Sequence, residues 1–265
     1  MVQNTFQLTR FCSSLFQIQD PSRAHKRLRL AVKKTNTGTS IATYASLLET
    51  VTNSNEALQI LIHISDALQY TNEEDMQESM QKISEHFRRE QESAVRVKIL
   101  ALFSEFSQES CAIENAVLVD EIINLLGVEK SPKVISQGLH SLFKIGEQQP
   151  LANAVLIKMV NFARNQLKSQ SHNVQRHALL LLGAFSALKD AENETLDLIG
   201  KYTDSQDSRV RAQAFRSILT LGRRDVFLTP TLYPRAIESL KDDYECVRRE
   251  ALQLVYELGI KHPEQ

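Results

Sequence analysis

Apolar residues recur along this chain in helical blocks, and one start signal opens five of those blocks. It reads Glu92-Ser-Ala-Val95, Ser131-Pro-Lys-Val134, Ser171-His-Asn-Val174, Asp207-Ser-Arg-Val210 and Tyr244-Glu-Cys-Val247. The valines are 39, 40, 36 and 37 residues apart. Five positions after each stands a large apolar residue: Leu100, Leu139, Leu179, Phe215 and Leu252. Eight after come Phe103, Leu142, Leu182, Ile218 and Val255, and eleven after come Phe106, Ile145, Phe185, Leu221 and Leu258. These offsets line one face of an α-helix. The fourth position after the valine is small in four copies, as Gly138, Ala178, Ala214 and Ala251, which lets a second helix come close.

Another helical run precedes each copy: Glu73–Phe87, Glu114–Leu126, Leu151–Leu167, Glu192–Tyr202 and Leu232–Leu240. A unit of two helices and a turn cannot bury its own apolar face, so neighbouring units must cover one another. A period near 40 residues with helical patterning only predicts an all-α fold, a HEAT-repeat solenoid of about five helix pairs over 73–260. The run Glu56–Leu68 predicts an extra helix covering the first pair. Residues 1–54 read as an irregular N-terminal arm and linker with a basic segment at 23–34, and 55–265 as the solenoid. Ser131, Ser171 and Asp207 are placed to cap their helices, and Pro132 to occupy a first helical position. Gly146, Gly222 and Gly259 follow the stripe and are expected to end their helices at positive φ. The chain stops after His262-Pro263 with no polar capping helix, as expected of a solenoid cut short.

Composition sharpens this picture. Eight glycines and six prolines in 265 residues leave long helices uninterrupted. No apolar run reaches the 18 residues of a membrane span. Cys12, Cys111 and Cys246 are too few and scattered for a disulfide framework, and fit small core positions in a reducing compartment. Net charge is −1, unevenly spread. Arg23, Lys26, Arg27, Arg29, Lys33 and Lys34 fall in one short segment, no acid lies between Asp20 and Glu49, and residues 35–265 are left with −7. The arm therefore reads as a solvated tail, a mitochondrial transit segment, or a nuclear import signal or polyanion site.

A search for chemistry returns little. His172 and His177 are the only close histidines and lack a third ligand, so no metal site is expected. No Gly-rich phosphate loop and no nucleophile elbow occurs, which argues against an enzyme. Arg96, Arg211 and Arg248 each follow an anchor valine. They are expected to form an inter-repeat polar ladder with turn acids, Asp207 and Asp243 being the candidate partners. Repeats alone allow a generic adaptor, for example for phosphatase assembly or nuclear transport.

Several stretches resemble the Integrator complex subunit four family. They are Tyr202-Thr-Asp-Ser-Gln-Asp-Ser-Arg-Val-Arg-Ala-Gln-Ala, Leu240-Lys-Asp-Asp-Tyr-Glu-Cys-Val-Arg-Arg-Glu-Ala-Leu-Gln-Leu and Ser93-Ala-Val-Arg-Val-Lys-Ile-Leu-Ala-Leu-Phe, with Glu56-Ala-Leu-Gln-Ile-Leu and the arm segment Lys26-Arg-Leu-Arg-Leu30. The family's chains are far longer than this one. The resemblance implies a non-catalytic nuclear scaffold of the Integrator cleavage module. Such a scaffold holds subunits nine and eleven, of metallo-β-lactamase type, for 3′-end processing of small nuclear RNA and other nascent RNA polymerase II transcripts. RNA would be met only indirectly. The resemblance further implies inositol hexakisphosphate at the arm, with Lys26, Arg27 and Arg29 as phosphate contacts. Guanidinium forks and an ammonium point charge suit that ligand.

Overall fold

The fold is built from helix pairs whose apolar stripes face their neighbours. The computed structural model describes residues 40–68, 73–109, 112–148, 150–186, 192–224 and 232–261. Among the described residues there are twelve α-helices, two short 3-10 turns and no strand. The helices are α1 (Ile41–Leu47), α2 (Ser54–Ala67), α3 (Glu73–Arg89), α4 (Ser93–Glu109), α5 (Ala112–Gly127) and α6 (Pro132–Gln148). There follow α7 (Asn153–Gln166), α8 (His172–Phe185), α9 (Glu192–Gly200), α10 (Ser208–Gly222), α11 (Leu232–Glu238) and α12 (Glu245–Lys261). Successive helices pair, α1 with α2 through α11 with α12, and the pairs stack into two rows. Odd-numbered helices form the first row and even-numbered helices the second; each even helix packs on the next of its row, and in the first row α1 packs on α3, α3 on α5 and α5 on α7, with Arg164 of α7 reaching Thr195 of α9 at 2.6 Å.

One continuous core runs between the rows. Val95, Val134, Val174, Val210 and Val247 are fully buried in it, at the start of α4, α6, α8, α10 and α12. Phe103, Phe106 and Phe215 are the largest side chains sealed inside. Polar links pin each row as well. In the first row Arg88 of α3 reaches Glu121 of α5 at 2.6 Å, and Lys158 of α7 reaches Asp120 of α5 at 2.8 Å. In the second row the Ser141 hydroxyl donates to the Leu100 carbonyl at 2.6 Å, and Ser217 repeats this on Leu179 at 2.8 Å. Both serines sit seven residues after their anchor valine and both carbonyls five after theirs, so the device recurs with the repeat.

The structure departs from the sequence reading in four places. Residues 41–47, assigned to the arm and linker, form α1, so a sixth and shorter pair opens the stack. Ser40 caps it by accepting from the Ala42 amide at 3.1 Å, and Ile41, Tyr44, Ala45 and Leu48 make a buried stripe at helical spacing. Gly146 and Gly259 lie inside α6 and α12, and Gly222 is the last residue of α10, before a right-handed Arg223 cap. Ser171 stands at the N-cap of α8 but makes no side-chain capping bond, whereas Asp207 accepts from two amides of α10. Leu252, whose four counterparts are sealed, is 58 % exposed. In α4, α6, α8 and α10 that face is covered by the next helix of the row, and no described residue covers it on α12. Cys246 is a half-buried free thiol, and Cys12 and Cys111 lie outside the described residues.

Two glycines inside helices differ in how closely a neighbouring helix approaches them. A methyl group on Gly183 of α8 would sit 2.7 Å from the Ser217 Cβ and 2.8 Å from its Cα. That neighbour is backbone and cannot rotate away, so α8 and α10 would have to separate. A methyl on Gly259 of α12 meets nothing within 4 Å. Gly183→Ala should therefore destabilise by about 1–3 kcal/mol through overpacking. Gly259→Ala should be neutral or stabilise by up to about 1 kcal/mol through helix propensity. Urea unfolding of both variants checks this, and equal midpoints would contradict the packing.

Candidate functional site: the turn ladder

Each tight turn between paired helices must satisfy exposed amides and carbonyls while holding the next repeat in register. The chain does this with a polar group five residues before each anchor valine: Glu90, Glu129, Ser169, Ser205 and Asp242. The Glu90 carboxylate accepts from the Gln91 and Glu92 amides at 2.8 and 2.7 Å, and Glu129 accepts from Lys130 and Ser131 at 2.8 and 2.7 Å. Asp242 accepts from the Tyr244 amide at 2.9 Å, and Ser169 from the Ser171 amide at 3.2 Å.

In four of the five copies the residue after the anchor closes the turn from the other side, Ile135 being the exception. Arg211 Nη1 donates to the Ser205 and Gln206 carbonyls at 2.8 and 3.1 Å. Arg248 Nη1 does the same to Asp242 and Asp243 at 2.7 and 2.9 Å. Gln175 replaces arginine in the third repeat and reaches the Ser169 carbonyl at 2.8 Å. The arginines also cross to the following repeat. Arg96 Nη1 pairs with Glu129 at 2.7 Å. Arg211 grips Asp242 with two parallel bonds, Nε to Oδ2 at 2.8 Å and Nη2 to Oδ1 at 2.9 Å, and lies 5.6 Å from the centre of the Tyr244 ring. Forked pairing of this kind fixes angle as well as distance.

Arg96, Arg211 and Arg248 thus occupy the ladder positions, but the acids differ from those anticipated. Asp207 is a helix cap gripped by its own neighbour Arg209 at 2.7 Å, and the Asp243 contribution is its backbone carbonyl to Arg248. Glu129 and Asp242 are the inter-repeat acids. Their common offset from the following valine was visible in the sequence, yet only the packed turn shows which of two adjacent aspartates faces the arginine. The Arg209 guanidinium and two amides hold the Asp207 carboxyl down to about 2, and Arg211 holds Asp242 below its usual value. Lys26, Arg27 and Arg29 lie outside the described residues. No three histidine, cysteine or acidic side chains come together to hold a metal ion among the described residues. No described helix is long and apolar enough to cross a membrane. The ladder can fix the angle between repeats; it presents no nucleophile or acid–base pair.

Carboxylates with lowered pKa contribute stability that is complete above the unfolded value near 4 and is lost as pH falls through the folded value. The solenoid should therefore lose stability between about pH 4 and about pH 2 in part through Asp207 and Asp242, and Asp207→Asn should flatten that slope. Arg211→Ala strands a half-buried carboxylate and two turn carbonyls, and should cost about 2–4 kcal/mol. Arg209→Ala removes only an exposed partner and should cost clearly less than Arg211→Ala. Chemical denaturation at neutral and acid pH measures all three.

No family model matches the chain. Among curated proteins it is similar to Integrator complex subunit 4 of Drosophila melanogaster, 41% identical over 224 residues, covering 81% of this chain and 22% of that protein. The Homo sapiens protein of the same name is 33% identical over 250 residues, covering 91% and 25%. The Integrator complex subunit 4 homolog of Dictyostelium discoideum is 24% identical over 235 residues, covering 84% and 19%. The chain spans about a quarter or less of the length of these relatives. Among solved structures, the crystal structure of Kap121p superposes with a TM-score of 0.62 at 14% identity, over 96% of this chain and 26% of that one. That likeness establishes the all-α solenoid fold alone.

Proposed function

We propose, since the chain belongs to the Integrator complex subunit 4 family, that it is a non-catalytic nuclear scaffold of the Integrator cleavage module. It holds subunits nine and eleven in place for 3′-end processing of small nuclear RNA and other nascent transcripts. The observation that carries the reading is identity extending over most of the chain, 41% over 81% of it in one relative and 33% over 91% in another. The physics of the solenoid supports it. A stack whose repeats are held in register by hydrogen bonds acts as a ruler, and positioning of a partner enzyme raises its rate without any chemistry in the ruler. RNA is met through the partners.

The basic arm is the place for a polyanion in this reading. Inositol hexakisphosphate is held by Lys26, Arg27 and Arg29 while Leu28 and Leu30 dock on an apolar surface. Six cations in so short a segment repel one another and bury little, so a polyanion or partner surface is needed to offset the entropy of ordering.

Affinity purification from nuclear extract tests the scaffold. Recovery of subunits nine and eleven is the expected result; recovery of a phosphatase or of transport factors in their place would favour the generic adaptor. For the arm, the triple variant Lys26→Glu, Arg27→Glu, Arg29→Glu should weaken inositol hexakisphosphate binding to the assembled module by about tenfold or more, since each charge-assisted contact is worth about 1.5–3 kcal/mol. Titration calorimetry reads the affinity, while melting of the solenoid should stay unchanged. Unaltered affinity would assign the arm to import or to solvent.

A further inference from the structure

The second row of helices carries an excess of positive charge at the centre of the stack. In the first row α5 and α9 hold acids and no lysine or arginine, while α7 between them carries Lys158 and Arg164 and no acid, Lys158 being paired with Asp120 of α5. Helices α6, α8 and α10 hold Lys133, Lys144, Arg176, Arg209, Arg211 and Arg216 against Glu147 alone. Arg209 and Arg211 are already paired with Asp207 and Asp242. Lys144, Arg176 and Arg216 make no ion pair among the described residues. Lys144 and Arg216 are exposed, and Arg176 is half-buried. At either end of the second row the cations are neutralised locally, Lys98 by Glu105 on α4, and Arg249 by Glu250 and Arg223 by Glu257 at α12. The uncompensated strip is therefore three helices wide.

Its floor is polar and aromatic. His140 of α6 lies 5.5 Å from His177 of α8, ring centre to ring centre, and Phe143 lies 5.9 Å from Phe185. The Ser136 hydroxyl bonds His177 Nδ1 at 2.8 Å. The His140 Nδ1 is buried without a hydrogen-bond partner. Gln137 and Gln213, three residues after their anchors, each donate a side-chain amide to a serine of their own helix, Ser141 and Ser217, at 3.3 Å. The charged residues fall on one face, because positions two, six and ten after the anchor differ by about four residues, close to one helical turn.

We propose that the face of α6, α8 and α10 bearing Lys144, Arg176 and Arg216 is a docking strip for an extended acidic segment of a partner protein. Helix axes in such a row lie about 8–10 Å apart. An extended peptide rises about 3.3 Å per residue. The cations stand ten, two and six residues after their anchors, so they are also staggered along the helix axes by about 12 and 6 Å; carboxylates about five and about three residues apart thus meet one cation per helix. Burial, with Lys144 and Arg176 close by, lowers the His140 pKa, and burial and Arg176 push His177 down to about 4. The charge of the strip at neutral pH is then the three flexible cations. The alternative occupant, single-stranded RNA, fits less well. It needs a positive field longer than three helices and aromatic faces open for stacking. Here the rings pack on one another, and residues 35–265 as a whole carry −7.

Fluorescence anisotropy on the full chain tests the strip. The probe is a labelled peptide of about ten residues with three glutamates about five and about three residues apart, compared with a single-stranded RNA of equal charge at about 50 mM salt. The charge-reversal variant Lys144→Glu, Arg176→Glu, Arg216→Glu should weaken peptide binding by about tenfold or more. The control Lys168→Glu, Lys201→Glu, Lys241→Glu makes the same change in net charge at exposed turn positions and should alter it less than about twofold. The His140 and His177 ring proton resonances should shift on peptide addition in the wild type. Neutral replacement by glutamine at the same three positions gives a second variant should the reversal disturb folding. Equal losses in strip and control variants, no binding by the wild type, or RNA binding tighter than peptide and lost in the strip variant would each overturn the proposal.

Discussion

Mutual coverage of neighbouring helices is the constraint on which everything else in this molecule rests. No pair can bury its own stripe, because the anchor valine and the residues five and eight positions beyond it face the next pair as well as its own partner. Complete burial of Val134, Leu139 and Leu142 in α6 needs α4 on one side and α8 on the other. The same residue type changes state where the neighbour is missing: Leu179 is sealed while Leu252 is 58 % exposed. Stability in such a stack is a sum of repeat and nearest-neighbour contributions. A core substitution therefore acts on its own pair and the two adjoining ones, and the far end of the stack does not feel it.

Coverage alone would leave repeats free to slide and rotate, since apolar contact is non-directional. The polar pins remove that freedom. Ser217 on the Leu179 carbonyl sets how far α10 can shift along α8, and Gly183 lets the backbones come near enough for that bond. At the turns, the forked Arg211–Asp242 pair sets an angle. These bonds contribute modestly to stability, about 1 kcal/mol each for neutral ones, yet they decide geometry because their strength falls steeply with misalignment.

Much of the fold was legible because its periodicity is long and repeated five times. Val95 through Val247 could be aligned against one another within a single chain, and the preceding helical runs fell within a few residues of α3, α5, α7, α9 and α11. What escaped lacked that internal comparison. Helix α1 is only seven residues long and sits among threonines and serines, which resemble a linker until Ile41, Tyr44 and Leu48 are seen to be buried together. Gly146 looked like a helix end from its position, whereas its purpose is contact: the Phe185 ring occupies the space a side chain would need, and such a neighbour lies nearly 40 residues away in sequence. The turn acids escaped for a related reason. A residue offset predicts that an acid stands near an arginine, but Asp242 and Asp243 differ by a rotation about the turn, which only the folded backbone sets.

The pins are unequal from repeat to repeat, and this bears on how a solenoid positions its partners. The α4–α6 step is set by Arg96–Glu129 and Ser141, and the α10–α12 step by the forked Arg211–Asp242 pair. The α6–α8 step has neither, since Ile135 stands at the place of the crossing arginine and Leu181 at that of the pinning serine; it uses the Ser136–His177 bond and the His140–His177 ring contact. A forked ion pair resists bending more than a single bond to a ring nitrogen. The middle of the stack is therefore its most compliant step. The same step carries the unpaired Lys144 and Arg176. A solenoid that is stiff at both ends and yielding between them can adjust its curvature around a bound partner at one defined place. The partner's charge would supply there the inter-repeat pairing that the chain's own sequence leaves out.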